Sequence, residues 1–182
     1  VAAARRHGAT ALAVVPAVLD DIHSEACGAR SECGGALASV SAVLVGGAGP
    51  TPVQLRQARE VFPNASIYTA YGMTEACSSI THAALHLAPG APARAREFKV
   101  EGRDVWGTRG GACVGRSLPH CEVAVVVPAG GATAGAPAYG GEVGTLALAA
   151  TGEVGEVAVR GPAVTCGYLG GGGRFWRGWF LT

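Results

Sequence analysis

The first 75 residues alternate short apolar runs with helix-like segments, and this alternation constrains the fold more than any other feature of the chain. The runs "ALAVV", "LASVSAVLVGG" (37–47) and "ASIYTAYG" are short and mostly apolar, which is typical of buried strands. A helix-like run precedes each of the first and third, and Pro16 is placed to open another helix at its first turn. Strands that alternate with helices predict an α/β fold with parallel strands.

The segment "TPVQLRQAREVFP" (51–63) is the clearest predicted helix. Thr51 is suited to the N-cap and Pro52 to the first helical position. Apolar residues recur at helical spacing, which predicts one buried face. The side chains expected on that face are Val53, Leu55, Ala58 and Val61.

The second half of the chain changes character. Residues 82–112 are rich in Ala, Pro, Arg and Gly without a clear period, and we predict a long loop there. The later runs "CEVAVVV", "GTLALAA" and "GEVAVRG" are apolar or alternating and are separated by glycines, which predicts a small sheet or barrel over 113–182. Residues 128–141 have the composition of a flexible insertion. The expected division is therefore an α/β portion, 1–112, and a β-rich portion, 113–182.

Charge and cysteine spacing exclude several classes of function. The net charge of +1 provides no electrostatic basis for binding nucleic acid. No apolar stretch approaches the 18 or so residues that a membrane span needs. The six cysteines form no C-x-x-C pair and the five histidines are scattered, which disfavours a zinc site or a disulfide framework. Reduced intracellular thiols are the simpler expectation, with a structural Cys/His protein as an alternative. The sequence does not indicate an oligomeric state.

Two motifs carry candidate chemistry. In "VGGAGP" (45–50), Gly47, Ala48 and Gly49 follow a predicted buried strand, so a ligand could approach the backbone closely, although a tight strand-to-helix turn would need the same residues. The stretch "YGMTEACSS" (71–79) places an aromatic ring, a hydroxyl and a carboxylate within five residues. A ring can stack on a purine, a hydroxyl can contact a phosphate and a carboxylate can hold Mg²⁺. The carboxylate could equally be one that favours a helix N-terminus.

The order of four motifs resembles the adenylate-forming superfamily of acyl-CoA synthetases, peptide-synthetase adenylation domains and luciferases. These motifs are "VGGAGP", "AYGMTE", "GEVAVRGPAVTCGYLG" and "GWFLT", and they extend over nearly the whole chain. The resemblance implies part of the large N-terminal domain of such an enzyme, with an α/β sheet layer followed by a small β-barrel-like subdomain.

The resemblance also implies a role for each matching residue. Thr74 would contact the α-phosphate of ATP and Glu75 would ligate Mg²⁺, so these two are the expected catalytic residues. Tyr71 would stack on adenine. The expected nucleotide-binding residues are Gly47, Ala48, Gly49, Tyr71, Gly72 and Thr74. The expected residues of the acyl-binding site are Cys77, Ser78 and Ser79. Glu156 and Arg160, in the later β motif, would order the sheet.

Within the superfamily, "YGMTEACSSITHAALH" and "GGACVGRSLPHCEV" resemble the plant and algal 2-succinylbenzoate–CoA ligases of phylloquinone synthesis. That branch implies ATP, Mg²⁺ and coenzyme A as cofactors or co-substrates, a small carboxylic acid as substrate, and a plastid or peroxisome as compartment. Another aryl- or fatty-acyl-CoA ligase, or a non-catalytic AMP-binding remnant, remains open.

The chain departs from the superfamily pattern at both ends. A lysine-bearing phosphate loop is expected before Val1, and a Gly-Asp pair and a domain with an acylation lysine are expected after Thr182. We therefore expect a fragment of a longer protein, inactive alone.

Overall fold

The computed structural model describes residues 1–28, 35–99, 113–129 and 145–182. The chain divides into two compact units. The first comprises Val1–Gly72 and Thr81–Arg116, and the second comprises Met73–Ile80 and Ser117–Thr182. The sequence predicts a division between residues 112 and 113. The sequence did not indicate that Met73–Ile80 belongs with the C-terminal residues.

The first unit begins with alternating helices and strands. These are α1 (Ala2–Arg6), β1 (Ala11–Val14), α2 (Pro16–Cys27), β2 (Ala42–Val45), α3 (Pro52–Val61) and β3 (Ser66–Met73). Strands β1, β2 and β3 are parallel neighbours, with Val14 opposite Val45 and Val45 opposite Thr69. The predicted α/β fold with a parallel sheet is confirmed.

The core of the first unit lies between this sheet and its helices. Its fully buried members are drawn from the strands, from α3 and from the turn before β2, and include Val43, Val45, Val61, Ile67 and Leu37. Burial of such side chains stabilises the fold by about 1.5–3 kcal/mol each. The core therefore holds the carboxyl ends of β2 and β3 in a fixed register.

Helix α3 shows how local sequence sets an element boundary. Thr51 accepts a hydrogen bond from the backbone N–H of Gln54 at 3.2 Å, and the Gln54 side chain accepts one from the Thr51 backbone N–H at 2.9 Å. This reciprocal pair is a capping box. Ala58 and Val61 are buried as predicted, whereas Val53 is 50% exposed. The inward prediction for Val53 is wrong, because the contacts of α3 with the core come from Ala58, Val61 and the partly buried Leu55.

Part of the predicted long loop is a strand. Strand β4 covers Ser78–His86, and a 3₁₀ helix covers Ala93–Phe98. The prediction of a loop is therefore wrong for residues 82–86. Alanines have low strand propensity, but β4 lies between β3 and β5 (Arg116–Ser117) in the sheet order β1-β2-β3-β4-β5. Packing within the sheet outweighs the propensity. Residues 100–112 lie outside the described residues.

The second unit contains a five-stranded antiparallel sheet with the order β7-β6-β8-β10-β9. The strands are β6 (Glu122–Pro128), β7 (Leu146–Leu148), β8 (Glu156–Arg160), β9 (Phe175–Trp176) and β10 (Trp179–Leu181). Its core includes buried side chains from three strands: Val126, Ala158 and Leu181. Of the predicted insertion 128–141, residues 130–141 lie outside the described residues.

Two further expectations concern cysteines and membranes. Cys27 is disulfide-bonded, so the expectation of reduced thiols is wrong at this position. A disulfide bond requires only that two cysteines lie within bonding distance, and an apolar composition does not prevent its formation. Across the described ranges, no helix has the length and hydrophobicity to traverse a bilayer.

Candidate functional site

The glycine-rich loop after β2 lies at the carboxyl edge of the parallel sheet. Gly47, Ala48 and Gly49 are exposed, whereas Pro50 is buried and anchors the loop. Gly47 has a φ of +81°, a conformation that is strained for residues with a Cβ. The loop therefore presents exposed backbone with little side-chain cover at the edge where α/β proteins bind ligands.

Tyr71 and Gly72 reach the same edge from the neighbouring strand. Thr69 is paired with Val45, the last residue of β2, so β3 continues past the end of β2. Thr69 is buried and donates a hydrogen bond to the Val45 carbonyl at 3.3 Å, which ties the two strand ends together. Tyr71 is half-buried and Gly72 is exposed. The first unit thus places the predicted Gly47–Gly49 loop and Tyr71 at a common sheet edge.

Thr74 and Glu75 belong to the second unit, in a 3₁₀ helix spanning Thr74–Ala76. Ala76 is fully buried, while Thr74 is exposed and Glu75 is partly exposed. The N–H of Cys77 donates to the Thr74 carbonyl at 3.1 Å and closes the turn. The buried alanine fixes the end of this turn, and the hydroxyl of Thr74 and the carboxylate of Glu75, which precede it, are accessible.

Glu75 is held at both its backbone and its side chain by one downstream segment. The Thr165 N–H donates to the Glu75 carbonyl at 2.6 Å, and the Tyr168 hydroxyl donates to Glu75 Oε1 at 2.5 Å. The hydrogen bond from Tyr168, followed by one involving the Glu75 backbone, holds the pKa of this carboxyl below its usual range. Hydrogen bonds to the charged form favour ionisation, so Glu75 is a carboxylate at neutral pH.

Cys77, Ser78 and Ser79 continue from this turn into β4. Cys77 has φ 50° and ψ 46°, and Ser78 has φ 95°. Positive φ at two successive residues other than glycine is uncommon and marks local backbone strain. The Ser79 carbonyl lies 3.1 Å from His120 Nε2. The second unit therefore contains Thr74, Glu75 and the three predicted acyl-site residues in one continuous segment, with strained backbone at Cys77 and Ser78.

Sequence reasoning missed Thr165 and Tyr168 as residues of this site. Tyr168 is separated from Glu75 by 93 residues. The run "TCGYLGGGG" did carry a signal, because a glycine-rich turn around a lone tyrosine can fix that ring against another part of the chain. The predicted structural role of Glu156 and Arg160 agrees with their contacts, since Glu156 pairs with Arg174 and Arg160 pairs with Glu122.

The donor chemistry around Glu75 suits Mg²⁺. A carboxylate oxygen is a hard ligand, and Mg²⁺ in nucleotide sites is bound by one or two carboxylates together with phosphates and waters. Glu75 provides an ionised, accessible carboxylate with Thr74 beside it. No cluster of three or more His, Cys, Asp or Glu side chains suited to a metal occurs in the part of the chain that the structure describes. The residues fit a metal that takes most of its ligands from phosphate and water.

Comparison with known proteins shows the family of this chain. The family model described as "AMP-binding enzyme" matches residues 1–169. The chain belongs to the AMP-binding enzyme family. The resemblance to the adenylate-forming superfamily is thereby confirmed.

Individual relatives agree with this assignment. The chain is 41% identical over 86 residues to the 2-succinylbenzoate–CoA ligase, chloroplastic/peroxisomal, of Arabidopsis thaliana, a match that covers 47% of this chain and 14% of that protein. Its fold is similar to O-succinylbenzoate coenzyme A synthetase (MenE) from Bacillus subtilis in complex with AMP, with a TM-score of 0.60, 22% identity, and coverage of 99% of this chain and 29% of that one. VinN gives a TM-score of 0.60 at 20% identity, covering 100% of this chain and 41% of that one. The chain therefore spans less than half the length of these relatives.

Proposed function

We propose that this chain is part of an ATP-dependent acyl-CoA ligase that acts on 2-succinylbenzoate. The observation that carries the proposal is the Thr74–Glu75 turn: an ionised carboxylate beside an exposed hydroxyl, fixed by a buried alanine and by hydrogen bonds from Thr165 and Tyr168. This is the chemistry needed at the phosphates of Mg·ATP. The Arabidopsis relative supports the choice of acyl acid.

The residues of the first unit serve the nucleotide base. We assign Tyr71 the role of stacking its ring on adenine, with exposed Gly72 beside it. The exposed backbone of Gly47, Ala48 and Gly49 lines the nucleotide-binding edge, where the absence of bulky side chains permits close approach of a planar ligand.

The residues of the second unit serve the phosphates and the acyl group. We assign the Thr74 hydroxyl to an α-phosphate oxygen and the Glu75 carboxylate to Mg²⁺. Cys77, Ser78 and Ser79 follow directly and present small side chains, which we assign to the acyl group. When bound, Mg²⁺ supplies positive charge that neutralises the phosphate oxygens. MenE has been solved with ATP and magnesium ion and, separately, with the acyl-adenylate OSB-AMP.

The proposed reaction has two steps. In the first, the substrate carboxylate attacks the α-phosphorus of ATP, the bond to the pyrophosphate oxygen breaks, and pyrophosphate leaves. In the second, the thiolate of coenzyme A attacks the acyl carbonyl and AMP leaves, which yields the acyl-CoA thioester. Stabilisation of the charge on the phosphorus oxygens matters more here than a general base, and we assign to the Thr74 hydroxyl a hydrogen bond donated to one of them.

The test uses the full-length protein that contains this chain. Pyrophosphate release is measured with 2-succinylbenzoate, with other aromatic acids and with fatty acids, and the thioester is identified by mass spectrometry. We expect 2-succinylbenzoate to give the highest kcat/KM. Glu75→Gln should lower kcat/KM by about 100-fold or more, because it removes the charge of a direct metal ligand. Glu153→Gln is the matched control, because Glu153 lies in the same unit and its carboxylate only caps a turn at Ala150.

The other outcomes identify the alternatives. Preference for a different acid would make the protein another aryl- or fatty-acyl-CoA ligase. Binding of ATP without pyrophosphate release from any acid would make it a non-catalytic AMP-binding protein. We further propose a plastid or peroxisomal location, since the Arabidopsis relative is named for both compartments; a fluorescent fusion of the full-length protein tests this.

A further inference from the structure

We propose that Tyr168 is a positioning residue that holds the Glu75 carboxylate in the orientation needed to bind Mg²⁺. The inference rests on the proposed function and goes beyond it, because it adds a residue 93 positions away from the motif that contains Glu75. The tyrosine would act through the carboxylate and would touch neither the metal nor the nucleotide.

The first support is the geometry of the contact. The Tyr168 hydroxyl donates to Oε1 of Glu75 at 2.5 Å. A hydrogen bond with an ionised acceptor is shorter and stronger than one between neutral groups. One carboxylate oxygen is thereby engaged by the tyrosine and the side-chain torsions of Glu75 are restricted. Its second oxygen, Oε2, is then held in a defined direction for a cation.

The second support is that the tyrosine is itself fixed. Its ring packs edge-on against Phe180, with 6.5 Å between centroids and an interplanar angle of 67°, and Phe180 is buried. Its carbonyl accepts a hydrogen bond from the Gly171 N–H at 3.1 Å, which closes a turn around it. A hydroxyl on a ring fixed in this way is a directed donor.

The third support is that the same segment also binds the Glu75 backbone. Thr165 donates its N–H to the Glu75 carbonyl at 2.6 Å, and its hydroxyl bonds to both the N–H and the carbonyl of Gly167, at 3.2 and 3.0 Å. Gly167 has a φ of +138°, and a Cβ there would lie 3.1 Å from the Gly172 carbonyl oxygen. The segment Thr165–Gly172 is thus a compact turn with two attachments to Glu75.

Positioning of this kind has a recognised effect. Residues that orient a metal ligand change metal affinity or activity by about 10–100-fold when they are replaced. We expect the lower end of this range for Tyr168, because water can partly replace the hydroxyl at an exposed carboxylate. The effect should appear in the contribution of Mg²⁺ and not in the binding of ATP without it.

The experiment measures ATP binding to the full-length protein by calorimetry, with Mg²⁺ and with EDTA. The ratio of the two dissociation constants reports the contribution of the metal. In Tyr168→Phe we expect this ratio to fall about 10-fold, with unchanged affinity in EDTA. Tyr68→Phe is the matched control, because Tyr68 lies on β3 in the first unit, and its ratio should equal that of the wild type.

Two further measurements separate positioning from a structural role. In a Glu75→Gln background, Tyr168→Phe should have no additional effect on the ratio, because the tyrosine acts only through the carboxylate. The thermal midpoint of the ligand-free protein should be nearly the same in Tyr168→Phe and the wild type. A lowered midpoint with an unchanged ratio, or additive effects in the double variant, would overturn the inference.

Failure of the inference is distinguishable from failure of the proposed function. If the wild type releases pyrophosphate with 2-succinylbenzoate and Tyr168→Phe keeps the wild-type ratio, the function stands and the positioning role is wrong. If the wild type shows neither pyrophosphate release nor an effect of Mg²⁺ on ATP binding, both are wrong.

Discussion

The ion pair between Glu156 and Arg174 provides a quantitative test of what stabilises the second unit. The two side chains form a bidentate contact, in which Nη1 faces Oε1 and Nη2 donates to Oε2 at 2.9 Å. The pair joins the first residue of β8 to the residue that precedes β9, and the Arg174 carbonyl accepts a further hydrogen bond from the Leu181 N–H at 2.9 Å. We predict that replacing either partner with glutamine destabilises this sheet.

The expected magnitude follows from burial and geometry. Hydrogen bonds to charged groups contribute about 1.5–3 kcal/mol when well shielded, and exposure reduces the contribution of an ion pair toward about 0–1 kcal/mol. The side chains of Arg174 and Glu156 are 23% and 28% exposed, so an intermediate coupling energy of about 1–2 kcal/mol is expected. Glu156→Gln should be the more damaging single change, because Arg174 Nε is buried and lacks a hydrogen-bond partner among the described residues.

The assay is a double-mutant cycle. The free energy of unfolding of the full-length protein is measured in urea for the wild type, Glu156→Gln, Arg174→Gln and the double variant. Tryptophan fluorescence is a suitable probe because Trp176 and Trp179 pack against the core of this sheet. The coupling energy is the difference between the double variant and the sum of the single variants.

The matched control lies at the other end of β8. Glu122 and Arg160 are paired at 2.6 Å, but their side chains are 62% and 47% exposed, so their cycle should give a clearly smaller coupling. If the coupling for Glu156 and Arg174 is no larger than that for Glu122 and Arg160, then burial does not control the strength of these pairs and the reasoning is refuted.

Three further predictions concern single residues. Thr51→Ala removes the capping box of α3 and should lower the free energy of unfolding in urea by about 1 kcal/mol; no change would show that the cap is redundant. Burial, and secondarily Arg59, lowers the pKa of His86 below its usual 6.5. Folding therefore favours the neutral imidazole, and this stability is present above pH 6.5 and is lost as the pH falls through the lowered pKa. The free energy of unfolding of His86→Gln should decrease less between pH 7 and 5 than that of the wild type. Burial raises the pKa of the Cys121 thiol, whereas Cys166 is exposed. Iodoacetamide at pH 8 should therefore alkylate Cys166 faster than Cys121, as measured by peptide mass spectrometry. Equal alkylation rates at Cys166 and Cys121 would contradict the burial of Cys121.

The predictable part of the fold depended on local signals. The helical spacing of apolar residues and the N-cap signal at Thr51 placed α3 within two residues of its observed end, and three apolar runs identified β1, β2 and β3. The failure at residues 82–86 has a physical cause. The sequence of β4 contains small side chains and no strict alternation, and its observed burial pattern is not period-two either. Its strand conformation is stabilised by neighbours in the sheet, which a single segment of sequence does not reveal.

The residues of the candidate site were predictable only where they form short motifs, 45–50 and 71–79. The stretch 71–79 was singled out because an aromatic ring, a hydroxyl and a carboxylate lie within five residues. The contact from Tyr168 was not predictable, because a hydrogen bond across 93 residues depends on the tertiary fold. Short motifs therefore identify candidate groups, whereas contacts between those groups and distant residues must be taken from the structure.

The division of the chain within this motif has a functional consequence. Tyr71 belongs to the first unit, where the parallel register of β2 and β3 sets its position, while Glu75 belongs to the second unit, where the turn Thr165–Gly172 binds it at two points. The two residues are only four positions apart, yet different sets of contacts determine where each one lies. If Glu75 and Tyr71 have the proposed roles, changes in Thr165–Gly172 should alter the metal-dependent part of ATP binding and spare the part that depends on the adenine ring. The motif 71–79 is continuous in sequence, but its first two residues belong to the first unit and the others to the second unit.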